Sequence, residues 1–414
     1  MPAPGPSAAP GRGPRTRTGP WPPHRHGPEA SYRHGPGPVP PPHRGTRRDR
    51  TARPTATATA TSTHSERTRH HDHRPLRTET DDYTTVRTTV GAYRITAPLV
   101  RVTGDERITF LDRFLAKSGE FVEPDTVREA LALNADGTPF AILLHFEIGD
   151  DAWLLPRTAV TADALRGYFD EVGVPEDVTV EIEPEGWGAS AFEGPTAWSV
   201  AAGFVDFDIS GLTLHGVTEA ALPGEPAALA HLARVGTTGE YGYLLLTNAP
   251  DAAHEAVLAA VAEQGGAPVG PEGLARVQAE AGMAVYAAGF GGLSVNEADL
   301  SWMIDWNRIG EFHGSDDLEQ PTTATARLAA LAAPAESRFA AGTKVTAAGE
   351  SVGTVLWQAP SANPEEELVI ALLDAPFWVP GLELAAGDEQ GAERPLRTVT
   401  LPRVIARSLT TRIS

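Results

Sequence analysis

Apolar periodicity of the kind that builds a core begins only near Tyr83 in this 414-residue chain. That late start limits the fold more than any other feature. The first 80 residues hold 16 of the 36 prolines, 8 of the 13 histidines and 14 of the 34 Lys and Arg residues against 5 acids, a charge of +9. A segment of Pro, Gly, Arg, His and Thr cannot bury enough apolar surface to offset about 1–2 kcal/mol of ordering entropy per residue. Residues 1–82 therefore read as a disordered basic arm, or as sequence translated ahead of the native start. Its His64, His70, His71 and His73 lack the fixed helical or loop spacing that a metal requires, so no metal site is expected there.

The rest of the chain is a different object. Residues 81–414 carry 20 bases and 49 acids, a charge of −29 that leaves −20 overall. Such a body repels phosphate, which argues against nucleic acid as a partner of the folded part. The absence of cysteine excludes disulfides, thiolate metal sites and a cysteine nucleophile. No apolar run approaches the roughly 18–20 residues of a membrane span, and no apolar stretch follows the N-terminal arginines as in a secretory signal. A cytoplasmic location and no membrane partner are expected.

Within the body, residues 93–102 read as one strand, and Gly104-Asp105 opens an amphipathic helix carrying Phe110, Leu111, Phe114 and Leu115. Strands at 141–148 and 153–155 flank the turn Gly149-Asp150-Asp151, a hairpin signal. Helices are expected at 161–172, from a cap at Asn248-Ala249-Pro250-Asp251 to Gln264 with a stop at Gly265-Gly266, and at 271–286, with a strand at 241–246. After the Ala-rich stretch 322–333 the pattern changes to short strands at 343–346, 353–357, 368–373 and 396–401. The irregular alternation of strands and helices argues for an α+β fold with a small all-β tail. Walker, H-E-x-x-H and G-x-S-x-G motifs are absent. The glycines of Gly289-Phe290-Gly291-Gly292 follow a helix and so do not form a dinucleotide fingerprint.

Residues 234–243, Arg-Val-Gly-Thr-Thr-Gly-Glu-Tyr-Gly-Tyr, resemble the T-G-E-x-G-Y signature of the folate-dependent aminomethyltransferases, the glycine cleavage T-protein family. Gly270, Glu280-Ala281-Gly282-Met283 with Tyr286, the run from Asn296 to Trp302, and Phe312-His313-Gly314 follow at similar spacing. Upstream, Gly104 with Phe110-Leu111, the segment from Leu133 to Gly137, and Gly194-Pro195 have counterparts; downstream, Gly353-Thr354-Val355 and Ile370-Ala371-Leu372 resemble the C-terminal barrel. The resemblance covers roughly residues 83–405. It implies a two-part α+β folate-binding unit at 83–333 and a C-terminal β-barrel at 334–414, with tetrahydrofolate as cofactor. It also places Glu240 where the family reads a pterin, whose 2-amino group and N3–H suit a carboxylate. Tyr241, Tyr243, Tyr286 and Trp302 would offer ring faces, or pack the core.

Three departures fall near the expected reaction centre. The carboxylate pair that assists one-carbon transfer in the family falls on Ala141 and Ile142, neither of which accepts a proton. His145 shares a strand face with Ala141 and is a candidate, although it lies about 13 Å farther along at roughly 3.3 Å per residue. Gln278 stands where the family's helix usually has Arg; it donates and accepts hydrogen bonds but adds no charge. The His- and Trp-bearing segment expected before Val86-Arg87-Thr88 is replaced by the basic arm. These features point to a tetrahydrofolate-dependent methyl or methylene transferase or demethylase acting on a small molecule. The alternatives are a non-catalytic folate-binding protein and, third, a conventional aminomethyltransferase rescued by Asp136 or Glu147; no lipoyl carrier protein is expected as partner.

Overall fold

A computed structural model describes residues 79–413 apart from 120–121, 284–288, 322–323 and 360–364. The chain divides into two units, Met1–Asp72 and His73–Ser414. The first lies wholly outside the described residues, and so does the expected arm as far as residue 78.

The second unit has a mixed α/β architecture built on two sheets and a closed barrel. The six-stranded sheet runs Ala267–Pro268, Gly91–Arg94, Gly188–Glu193, Gly242–Thr247, Ala230–Ala233, Val217–Glu219. The five-stranded sheet runs Thr126–Leu133, Pro139–Ile148, Asp151–Pro156, Val100–Thr103, Thr179–Ile182. The two sheets pack face to face, because alternate side chains of a strand point to opposite faces. Leu244 and Leu246 meet Leu144, Phe146, Trp153 and Leu155 between the sheets. Tyr243 and Leu245, on the opposite face of the same strand, meet Ala253, Val257 and Val261 of the helix Pro250–Glu263. The outer face of the five-stranded sheet, with Ala141 and Leu143, is covered by Phe110 and Leu111 of the helix Arg107–Asp112 and by Leu165, Tyr168 and Phe169 of the helix Ala162–Val172. Both central strands are thus buried on two faces, which explains their near-continuous apolar runs.

Several local expectations hold. Gly149, at φ 58°, turns Pro139–Ile148 back onto Asp151–Pro156. The helix expected at 161–172 is Ala162–Val172, with the Thr161 hydroxyl accepting the Ala164 N–H as its cap; the cap expected at Asn248 is not formed, because that side chain accepts the Leu229 N–H and the helix begins at Pro250. Others need correction. The single strand expected at 93–102 is two strands in different sheets, Gly91–Arg94 and Val100–Thr103. Residues 95–99 cross between the sheets, and Pro98 suits the crossing since it has no N–H to give a ladder. The helix expected at 271–286 is Pro271–Ala281, closed by Gly282 in the left-handed conformation at φ 94°.

The barrel closes in the order Ala326–Pro334, Glu366–Asp374, Glu350–Ala359, Lys344–Ala347, Glu383–Gly387, Glu393–Val399. Its first strand is the Ala-rich stretch read as a lead-in, so the barrel starts at Ala326 rather than at 334. Gly353 lies so close to its neighbour that a Cβ there would come within 2.3 Å of the Leu372 carbonyl oxygen. No helix among the described residues is long and apolar enough to cross a membrane.

Candidate functional site

Where the two sheets separate, a cavity of about 220 Å³ opens between them. Leu144 and Leu155 of the five-stranded sheet, packed in one cluster with Val235 and Leu244, form its apolar floor, and Ile95, Thr96 and Ala97 of the crossing segment also line it. Gln278 and Met283, at the end of the helix Pro271–Ala281, line the remaining side.

The polar wall is built around Glu193, the last residue of the strand Gly188–Glu193 and only 1% exposed. Its Oε1 accepts the Tyr93 hydroxyl at 2.5 Å and the Thr237 hydroxyl at 2.8 Å. Its Oε2 accepts the Thr237 N–H at 2.8 Å, the Thr238 N–H at 2.9 Å and the Thr238 hydroxyl at 2.7 Å. Five donors fill a carboxylate that offers about four lone-pair sites, so Glu193 has no capacity left for a ligand. Burial, and then the Glu193 charge and hydrogen bond, hold the Tyr93 phenol well above its ordinary pKa, so it stays protonated. Gln278 Nε2 donates to the Thr237 hydroxyl at 3.0 Å, which leaves its second N–H and its carbonyl for the cavity.

Arg157 brings a buried cation to the same wall. Its Nη2 donates to the Gly236 carbonyl at 3.1 Å, tying the two sheets together. Its Nε lies 3.1 Å from Glu129 Oε1 yet makes no aligned hydrogen bond, so the contact acts as an ion pair only.

The sequence-expected residues are only partly brought together here. Gln278 lines the cavity. Glu240 does not: its carboxylate accepts the Arg407 N–H at 3.1 Å and the Ser408 N–H at 2.9 Å and pairs with Arg87 at 3.3 Å. Tyr241 and Tyr243 point to the helix-covered face of their strand; the Tyr241 hydroxyl donates to the Thr411 carbonyl at 2.6 Å, while Tyr243 is fully buried against Phe192. Trp302, 55% exposed, borders a separate groove of about 560 Å³ with Trp378 and the barrel strand Ala326–Pro334; Met283 touches both spaces. Tyr286 lies outside the described residues.

The carboxylate positions are apolar in structure as in sequence. Ala141 is packed under the helices of the five-stranded sheet, and Ile142 is buried with Leu131, Leu133, Phe290 and Met303. His145 shares the helix-covered face, is 0% exposed and stands away from the cavity. Arg128 Nε donates to its Nδ1 at 3.3 Å, so the ring proton sits on Nε2 and is given to Glu147 at 2.7 Å. Burial keeps this ring neutral, with its pKa below the usual value. Burial alone would raise Glu147, but His145 and Arg107 outweigh it and hold the carboxyl below its ordinary range. Asp136 is engaged with Thr138 in an exposed turn. None of the three serves the cavity, and among the described residues no cluster of metal-ligating side chains occurs.

Sequence reasoning missed Glu193, Tyr93 and Arg157. A signal existed for Glu193, an isolated acid ending a run of small and apolar residues beside the singled-out Gly194-Pro195. Arg157 is likewise a lone charge at the end of Trp153-Leu154-Leu155-Pro156.

The family model for the GCVT N-terminal domain matches residues 59–308, more than half of the chain and beginning upstream of the expected arm boundary. The aminomethyltransferase of Streptomyces coelicolor is 26% identical over 340 residues, covering 79% of this chain and 90% of the relative. That of Streptomyces avermitilis is 27% identical over 343 residues with the same coverage. In fold, the chain is similar to the crystal structure of the glycine cleavage system aminomethyltransferase T from Bartonella henselae, with a TM-score of 0.67 at 18% identity over 80% of this chain and 90% of that one. The ordered motifs, the two-sheet unit with its barrel, and the extent of the match together make the chain a member of the glycine cleavage T-protein family.

Proposed function

We propose that this protein is a tetrahydrofolate-dependent transferase that moves a methyl or methylene group to or from a small molecule, with the folate ring held between the two sheets. The observation that supports it is the cavity itself, an apolar floor with an amide at one edge. Leu144, Leu155, Val235 and Leu244 together give the apolar surface that a flat ring needs to lie on. Gln278 offers N–H and C=O side by side, the complement of a pterin's carbonyl and N3–H. At about 220 Å³ the cavity lies below the roughly 300–1,000 Å³ of drug-sized sites, so it takes the ring and not the whole cofactor. The residues present therefore fit the ring, with an amide rather than a carboxylate as its reader.

When bound, tetrahydrofolate supplies the nitrogen that receives or gives up the one-carbon unit. The chain's own residues hold and orient: Glu193 fixes Thr237, Thr237 fixes Gln278, and the leucines exclude water. With Ala141 and Ile142 apolar and His145 on the other face, no described side chain stands ready there as a base. Methyl transfer depends more on near-attack placement than on a base, which favours it over the aminomethyl chemistry named for the relatives.

A second reading, a folate-binding protein without transfer chemistry, is favoured by one observation. Each titratable side chain lining the cavity, Tyr93, Arg94, Arg157 and Glu193, is already engaged by another residue. Incubation with tetrahydrofolate and a panel of O-, N- and S-methyl donors, read by mass spectrometry for 5-methyltetrahydrofolate, decides between them. Product from any donor supports transfer; folate binding without product supports the second reading; absence of folate binding removes both.

A further inference from the structure

The carboxylate of Glu240 is used by the chain's own C-terminal segment. Beyond the last barrel strand, Glu393–Val399, the chain returns across the helix Pro271–Ala281, where the Arg403 N–H donates to the Glu280 carbonyl at 2.8 Å. It then presents the N–H groups of Arg407 and Ser408 to the two oxygens of Glu240 at 3.1 and 2.9 Å. Three residues after Ser408 the Thr411 carbonyl takes the Tyr241 hydroxyl, and Ile413 packs on the core of the six-stranded sheet. On the other side of Glu240 stands Arg87, 6% exposed, at 3.3 Å. The same guanidinium donates to the Thr238 carbonyl at 2.7 Å and to the Val277 carbonyl at 3.2 Å.

Thr238 is the junction between this clasp and the cavity. Its carbonyl is held by Arg87, and its N–H and hydroxyl are held by Glu193. Val277, the other carbonyl held by Arg87, is the residue before Gln278. The geometry points to Glu240 as a positioning residue that couples seating of the C-terminal segment to the shape of the cavity's polar wall. The segment acts as a strap: seated, it satisfies Glu240 and lets Arg87 hold both Thr238 and the Gln278 helix; released, it leaves a buried carboxylate short of two donors, and the 236–240 loop relaxes. Charge supports the coupling. One guanidinium faces both Glu240 and Glu280, so the two strap amides supply the remaining compensation for Glu240.

The inference rests on the inter-sheet cavity being the ligand site, and the test keeps the two separable. In full-length Glu240→Gln the amide nitrogen must face one of the donors now bound, so at least one loses its acceptor. Peptide-resolved amide hydrogen exchange is compared with wild type. The expected result is exchange about tenfold faster or more in 407–411 and also in 236–239, whose Thr237 and Thr238 amides are held by Glu193, with the barrel strand Glu366–Asp374 unchanged. Faster exchange in 407–411 alone, or in neither segment, overturns the coupling. Should Glu240→Gln fail to fold, a chain ending at Pro402 removes the strap and keeps Glu240; unchanged exchange at 236–239 in that variant overturns the proposal equally. Tetrahydrofolate titrated into the same samples tests the ligand reading separately: no binding to wild type would sink that reading and leave the exchange result standing.

Discussion

Removing Glu193 in two different ways measures how far one carboxylate organises the cavity. In Glu193→Ala the backbone N–H groups of Thr237 and Thr238 and three hydroxyls lose their acceptor. The Tyr93 and Thr237 hydroxyls lie 3.4 Å apart and can turn toward each other, so the two amides carry most of the loss. At about 1–3 kcal/mol for each unsatisfied buried donor, the two amides cost about 2–6 kcal/mol. Glu193→Gln is gentler, since its carbonyl can take the Oε2 position and keep both amides while its NH2 donates to the Tyr93 and Thr237 hydroxyls. What it loses is the difference between charged and neutral hydrogen bonds, about 1–2 kcal/mol. Urea unfolding followed by tryptophan fluorescence gives both values as midpoint shifts at constant slope. Ala should be the worse substitution by about 1–4 kcal/mol. Equal midpoints for Gln, Ala and wild type would refute it.

Three further outcomes follow from the same geometry. Ile142→Asp places a carboxyl among Leu131, Phe290 and Met303; it should lower stability by several kcal/mol in urea unfolding and confer no aminomethyl transfer in a coupled glycine cleavage assay. Because the folded His145 has a depressed pKa, its contribution is complete above the unfolded value of about 6.5 and falls as pH drops below it. A denaturation series from pH 8 to 5 should show this slope in wild type and a weaker one in His145→Gln. Gly242→Ala would bring a Cβ within 2.4 Å of the Gly236 Cα, so the Gly236 loop must shift; about 1–3 kcal/mol of destabilisation and weakened folate binding are expected by unfolding and calorimetry.

How much of this was legible in the sequence depended on whether the signal was local. The Gly149 hairpin and the helix at 161–172 depend on adjacent residues, and both appear nearly as read. The split of 93–102 into two sheets did not show, because both halves have strand character and only Pro98 marks the crossing. The strand Ala326–Pro334 was obscured by alanine, a helix former, which here packs where the barrel interior and its neighbours leave little room. Tertiary packing overrode propensity there. At the site, the first part of the T-G-E-x-G-Y segment, Gly236 and Thr237, lies on the cavity wall. The motif could not say which carboxylate enters, since Glu240 is turned away by a strap more than 160 residues distant and Glu193 arrives from the neighbouring strand. Gln278 was visible as a departure from the family pattern, and the structure places that departure on the cavity wall.

Calorimetric titration of tetrahydrofolate into wild type and Gln278→Leu is the most direct test of the central claim that the inter-sheet cavity holds the folate ring by its amide edge. One binding event per chain in wild type, weakened about tenfold or more by Gln278→Leu with the fold intact, is the outcome expected. Undiminished affinity in the variant, or no binding to wild type, would contradict it.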